Sequence, residues 1–250
     1  MFSLRTTSSI RQDLLERKSN WGSDPDVIIN LKILKKRNAL HDERLLARAA
    51  SYGVPAHIDV FIEAGCDIYE AHYNYGLVGG AVFNGNLTMM RYLLRLGVEP
   101  LDALSRLPVY FTRGEIDGVI DELLAAGAIP DRHSSDIFDP LNSGVFRFNP
   151  VVVEAWLDRG LDPSYVGFDG NSLDALRLTT FCSEYGKFKY ERDVLNRHLS
   201  AAIQIIKLLL ANGLSLNDEF YEKINRLNLS EKNEYFSRLI SFLDTAENIN

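Results

Sequence analysis

Cysteine is nearly absent. The 250 residues contain two, Cys66 and Cys182, far apart and in different kinds of segment, so no disulfide framework is implied and reduced thiols are expected. Long apolar runs are missing as well: none approaches the ~18 to 20 apolar residues that a membrane span needs. The opening Met1-Phe2-Ser3-Leu4-Arg5-Thr6-Thr7-Ser8-Ser9 lacks the apolar stretch of a signal peptide. The cytoplasm is therefore the expected location, with no membrane partner. Positive charge is in deficit, 27 Lys and Arg against 34 Asp and Glu, a formal charge of −7. That balance disfavours nucleic acid and anionic membranes as main partners and favours a protein with a basic surface. Catalytic signatures are lacking too. Gly76, Gly79 and Gly80 are not followed by the Lys-Ser or Lys-Thr of a phosphate loop, so close helix packing is the better account of them. His133 and Asp136 have no second histidine at i+4, no Cys-x-x-Cys and no nucleophile elbow nearby to complete a site. Neither a metal nor a cofactor is expected, and the chain reads as non-enzymatic.

What is present is a recurring four-point stripe. Apolar residues at i, i+3 and i+4 lie on one face of a helix, and a glycine at i+7 stands where a helix can end in a left-handed conformation. The pattern reads Ile58, Phe61, Ile62, Gly65; Met90, Leu93, Leu94, Gly97; Ile120, Leu123, Leu124, Gly127; Val153, Trp156, Leu157, Gly160; and Ile206, Leu209, Leu210, Gly213. The glycines follow one another at intervals of 32, 30, 33 and 53 residues (97−65, 127−97, 160−127, 213−160), the last equal to one period plus an insertion near 182–199. Such a period marks a repeat protein, and 46% hydrophobic residues suffice for a core running through the stack. Trp156, in the stripe, is expected to be buried.

The period and its details resemble a divergent ankyrin-repeat protein. Gly53 and Gly85 lie twelve residues before Gly65 and Gly97, and Ala49, Ala50 and Ala81 sit where the first helix of such a repeat carries alanines. Asp139-Pro140-Leu141 resembles the Thr-Pro-Leu that opens that helix, and Asp169-Gly170-Asn171-Ser172 resembles the Asp-Gly-x-Thr before it. Thr-Pro-Leu-His is nowhere intact, and Glu115 and Phe148 replace the mid-repeat glycine. The resemblance implies an all-α, ankyrin-like helical repeat solenoid: an N-terminal helical cap over residues 1–41, about five repeats over 42–217, and a C-terminal helical cap over 218–250.

It also implies fingers, the segments between a helix-closing glycine and the next repeat, that project and bind. Tyr69, His72, Tyr73 and Tyr75 fall on the first finger, expected as a projecting turn or hairpin over 66–76. His133, Asp136 and Phe138 fall on another, and Tyr165, Phe168 and Asp169 on a third. Tyrosines give large amphipathic contact area at small entropic cost, so these residues are the expected partner-binding set. The expected function is a scaffold, monomeric when free, that grips another protein on its concave surface, as an inhibitor or immunity-type protein would grip a basic partner. Two alternatives stand beside it: an enzyme or small-ligand sensor using polar finger groups, and a nucleic-acid binder using the Lys and aromatic residues of 187–192. His57 is expected to be a packed or partly exposed histidine and not a ligand.

Overall fold

The computed structural model describes residues 5–17, 21–130, 139–166, 172, 192–215, 222, 238 and 241–242, without the side chains of 73–75 and 192–196. Among the described residues the fold is all-α, with no strand. The helices are α1 (Thr7–Glu16), α2 (Pro25–Lys36), α3 (Glu43–Tyr52), α4 (Pro55–Glu63), α5 (Ile68–Tyr75), α6 (Leu77–Phe83), α7 (Leu87–Arg95), α8 (Arg113–Ala125), α9 (Pro140–Phe146), α10 (Pro150–Leu157) and α11 (Arg192–Ala211), with a 3-10 turn at Ala103–Arg106. The chain divides into one unit of Met1–Tyr110 and Gly118–Pro130 and a second of Phe111–Asp117 and Asp131–Asn250. No helix among the described residues is long and apolar enough to cross a membrane.

The five glycines of the stripe share one backbone state. Gly65, Gly97, Gly127, Gly160 and Gly213 have φ of 79°, 81°, 92°, 83° and 93°. Each closes its helix with the same pair of bonds: the glycine N–H donates to the carbonyl three residues back, and the following N–H donates to the carbonyl five back, as Gly97 to Leu94 (3.0 Å) and Val98 to Leu93 (3.1 Å). This double closure satisfies carbonyls that a helix end otherwise leaves unpaired, and glycine takes its left-handed position without strain. Three further ends close identically: Gly85 after α6, Asn38 after α2 (φ 50°) and Phe148 after α9 (φ 54°). Asn38 gives α2 the same closure as the striped helices, with Leu31 and Leu34 buried seven and four residues before it and Lys35 in place of the third apolar residue. Phe148 does occupy the left-handed position of the missing mid-repeat glycine. A bulky residue there is strained, and its ring lies 5.5 Å from His198 on α11.

Caps fix the helix starts. Thr6, Asp24, Asp42, Asp67, Asn86, Asp139 and Asn149 each accept a first-turn backbone N–H with a side-chain oxygen. Thr112 and Glu115 exchange bonds in a capping box that starts α8. Val54 has no such oxygen; its own N–H donates instead to Nδ1 of His57, 3.2 Å away. His57 is buried, its ring edge-on to Trp21 at 6.0 Å. Desolvation holds the His57 ring below the usual histidine range.

In the first unit α3 lies against α6, and α6 against α7 and the 3-10 turn, while α2 packs on α4 and α4 on α7. Ala49, Ala50 and Ala81 are fully buried, small enough for the close approach their position calls for. The glycines of α6 act as expected: a Cβ on Gly79 would stand 2.3 Å from Asp102 Oδ1, and one on Gly80 2.9 Å from Ser51 Oγ. In the second unit α10 packs on α9 and α11, and Trp156 is buried at 1% exposure.

Polar cross-links join successive helices of the stripe. Lys35 donates to Glu63 (2.6 Å), tying α2 to α4, and the Tyr92 hydroxyl donates to Asp59, tying α7 to α4. Burial and the Asp59 carboxylate push the Tyr92 phenol up to about 12. Arg91 forks onto Glu122 at 2.8 and 2.6 Å. In the second unit Arg113 meets Glu154 and Asp158, and Arg159 meets Asp117. Burial raises the Asp117 carboxyl, but the guanidinium groups of Arg159 and Arg113 outweigh that and hold it below the ordinary range. Because Arg91 and Glu122 are half in water (side chains 52% and 38% exposed), their pair aligns helices more than it stabilises them. A double-mutant cycle with Arg91→Ala and Glu122→Ala is expected to give a coupling of about 0.2 to 1 kcal/mol in urea unfolding; a coupling of ~3 kcal/mol would show a pair shielded from solvent.

Two expectations are corrected. Residues 66–76 do not form a projecting turn or hairpin: Asp67 accepts the N–H groups of Tyr69 (2.8 Å) and Glu70 (3.1 Å) and nucleates α5, and left-handed Gly76 ends it. The sequence offers Ser8 or Ser9 as N-cap of a short helix over residues 8–19, but the helix is capped by Thr6. The expected caps and repeats over 131–138, 167–171, 173–191 and most of 216–250 lie outside the described residues.

Candidate functional site

Two chain connections of the same build make one concavity. After α2 the chain closes at Asn38 and runs through Leu40 and His41 to the cap Asp42; after α4 it closes at Gly65 and runs through Cys66 to the cap Asp67. Recurrence of the closure sets the second connection beside the first: Cys66 Sγ is 3.8 Å from the Leu40 carbonyl and 3.7 Å from His41 Nδ1. Between them, α3, α4 and α5 line an open cavity of about 170 Å³. Its apolar lining is Leu46, Phe61 and Ala71, all buried. Its charged lining is Asp42, Glu43, Asp67 and Glu70.

The chemistry follows from that inventory. Four carboxylates beside an apolar wall, of which Asp42 is already paired with Arg44, suit an alkyl stem ending in a cation, the make-up of a lysine or arginine side chain. Oδ1 of Asp42 and Oδ1 of Asp67 already accept cap bonds, which fixes their carboxylates in place. Burial pushes the Cys66 thiol up, so it sits in the lining as a neutral thiol and not as a thiolate nucleophile. Among the described residues no group of three or more His, Cys, Asp or Glu is placed to hold a metal ion.

The sequence-expected binding residues are distributed as follows. Tyr69, on α5 next to Glu70, is 56% exposed, and its hydroxyl donates to the Leu96 carbonyl at 2.7 Å. That bond ties α5 to the next connection, the one closed by Gly97, and leaves the ring face in water. His72 is not on a binding surface: it is buried at 4% exposure on the inner side of α5, a consequence of the helix that replaces the expected turn. Tyr73 and Tyr75 belong to the last turn of α5, and their side chains lie outside the described residues. Tyr165, in the second unit, is half-buried, with its N–H donating to the Asp162 carbonyl. His133, Asp136, Phe138, Phe168 and Asp169 lie outside the described residues, as does the 187–192 stretch. Sequence reasoning missed His41, Asp42 and Glu43 as site residues, because Asn38 hid the closure that places them. An asparagine seven residues after Leu31 was the available signal, since asparagine is the commonest substitute for glycine at a left-handed helix end.

No protein-family model matches the chain, and none of the curated proteins matches it significantly.

Proposed function

We propose that the chain is a non-enzymatic, ankyrin-like helical-repeat scaffold that binds another protein, and that the acidic cavity between its first two like connections takes a basic side chain of that partner. The carrying observation is the cavity itself: four carboxylates around buried Leu46, Phe61 and Ala71, with exposed Tyr69 preceding Glu70 on α5. The eight helix ends closed by one hydrogen-bond pattern among the described residues support the repeat reading, since an identical closure sets successive connections in register. An aromatic residue and carboxylates that a docking partner would cover match the make-up of an interface hot spot, while the net charge of −7 steers a basic partner inward. Covering the basic active site of another protein, as an inhibitor does, is one form such binding takes.

The test is site-specific photo-crosslinking in host lysate with a benzophenone side chain in place of Tyr69. The expected product joins the protein to a partner through a Lys- or Arg-containing peptide, and it disappears in Glu43→Lys/Glu70→Lys protein of unchanged helicity. A product that forms equally with the charge-reversed protein, or no product at all, overturns the proposal.

A further inference from the structure

His72 stands at the junction of α5 and α6. Its Nδ1 accepts the Leu77 N–H at 3.1 Å, across left-handed Gly76 (φ 60°, ψ 61°), so the ring proton sits on Nε2. Nε2 is buried and has no hydrogen-bond partner among the described residues. A second proton would have to enter at Nδ1, where it would face the Leu77 N–H, abolish the bond and leave a cation in a dry site. The ring therefore fits its place only when neutral.

Among the described residues, few side-chain ties besides the packing on α3 hold α5. It has eight residues, too few for a helix to persist in water on its own propensity. Ile68 and Ala71 are its buried apolar side chains among the described residues, and the Tyr69 hydroxyl and the His72 ring are its polar ties to other segments. Gly76, with φ open to it on both sides of the map, is a hinge at one end.

We propose that His72 is a proton-operated latch: neutral, it pins α5 to the start of α6; protonated, it releases α5 about Gly76. Release carries Glu70 and Ala71 away from the acidic cavity, so acid both uncovers α5 and dismantles that concavity; this last consequence rests on the function proposed above, whereas the latch does not.

The charges around the ring set the direction. Desolvation holds His72 below the usual histidine range, against Asp102 and Glu99, whose carboxylates favour the cation. Asp102 is engaged by Arg106. On α3, which packs against α5, Arg44 turns to Asp42 and Arg48 to the Arg17 carbonyl, and Glu43 lines the cavity; α6 carries no titratable side chain. With an ordinary value of 6.5 for the released ring and a lower one for the latched ring, the latched state binds fewer protons. Its advantage is complete above 6.5 and is lost as pH falls below it. The carboxylates that arginine holds below their ordinary range, such as Asp117 and Glu122, titrate outside this window.

Hydrogen exchange read by mass spectrometry at pH 7.5 and 5.5, corrected for intrinsic exchange rates, tests the latch. The opening constant of the α5 peptide through Leu77 is expected to rise up to about tenfold on acidification, the limit set by a released-ring value near 6.5. In His72→Asn the Oδ1 replaces Nδ1 as acceptor and cannot titrate, so opening should be independent of pH; His57→Asn should keep the acid response. An unchanged opening constant in the wild type, or an acid response that survives in His72→Asn, overturns the proposal. Should His72→Asn fail to fold, an NMR titration of the wild type decides: the Leu77 amide must shift with the His72 ring at a midpoint below 6.5, and a Leu77 amide that ignores the ring refutes the latch.

Discussion

Replacing Trp156 by alanine is expected to destabilise the protein by about 3 to 5 kcal/mol in urea unfolding followed by far-ultraviolet circular dichroism. Trp156 is 1% exposed on α10, between Val152, Val153 and Leu157 in a helix whose apolar face is buried against α9 and α11. Truncation removes the largest apolar surface in that layer and leaves a void that its neighbours fill only in part. Its carbonyl also receives the closing bond from Leu161, 3.1 Å away, but that bond is backbone and survives. The indole Nε1–H is buried without a hydrogen-bond partner among the described residues. Trp156→Phe deletes that unpaired donor, which costs about 1 to 3 kcal/mol while it stays buried, and keeps most of the ring volume. The phenylalanine variant should therefore lose less than about 1.5 kcal/mol. An alanine variant within ~1 kcal/mol of wild type would show that the second unit's core does not depend on this side chain.

Gly53→Ala should cost about 1 to 3 kcal/mol, for want of space and not for want of conformational freedom. At φ −89° and ψ −168° the backbone of Gly53 is open to any residue. A Cβ there, however, would stand 2.5 Å from the Ala49 carbonyl oxygen and 2.6 Å from His57 Nδ1. The first is the acceptor of the bond from the Gly53 N–H at 2.8 Å, and the second accepts the Val54 N–H. The added methyl must break one closure or the other, and the His57 ring it displaces packs on Trp21. Gly118→Ala is the matched control: nothing lies within 4 Å of its would-be Cβ, and it sits exposed within α8. There alanine should stabilise by about 0.5 to 1 kcal/mol through helix propensity. Thermal melts of the two variants that moved in the same direction would contradict the packing around Gly53.

Much of the local structure was legible because it depends on neighbours in sequence. The stripe with a terminal glycine announces the helix, its stop and the buried i and i+3 positions, while the i+4 residue stays partly exposed except at Leu157; all five such glycines take positive φ. Asp24-Pro25 announces the start of α2 in the same way. The same logic failed at Asn38, where a different residue accepts the same dihedral angles, and so α2 was not counted with the others. It failed again at 66–76, where a family expectation of a projecting finger outweighed a plain local signal: Asp67 two and three residues before Tyr69 and Glu70 is a helix cap.

The sequence by itself determined the helical class, the positions and closures of the striped helices, and the acidic charge, because each follows from side-chain periodicity, from which residues tolerate left-handed backbone, or from counting. Only the tertiary structure decided that His41, Asp42 and Glu43 share a cavity with Cys66, Asp67 and Glu70, and that His72 faces inward while Tyr69, three residues earlier on the same helix, faces water. Those outcomes depend on which helix lies beside which and on how α5 is rotated about its axis, and both are fixed by packing between residues some 25 to 30 apart, as in the Cys66 to Leu40 and Tyr69 to Leu96 contacts.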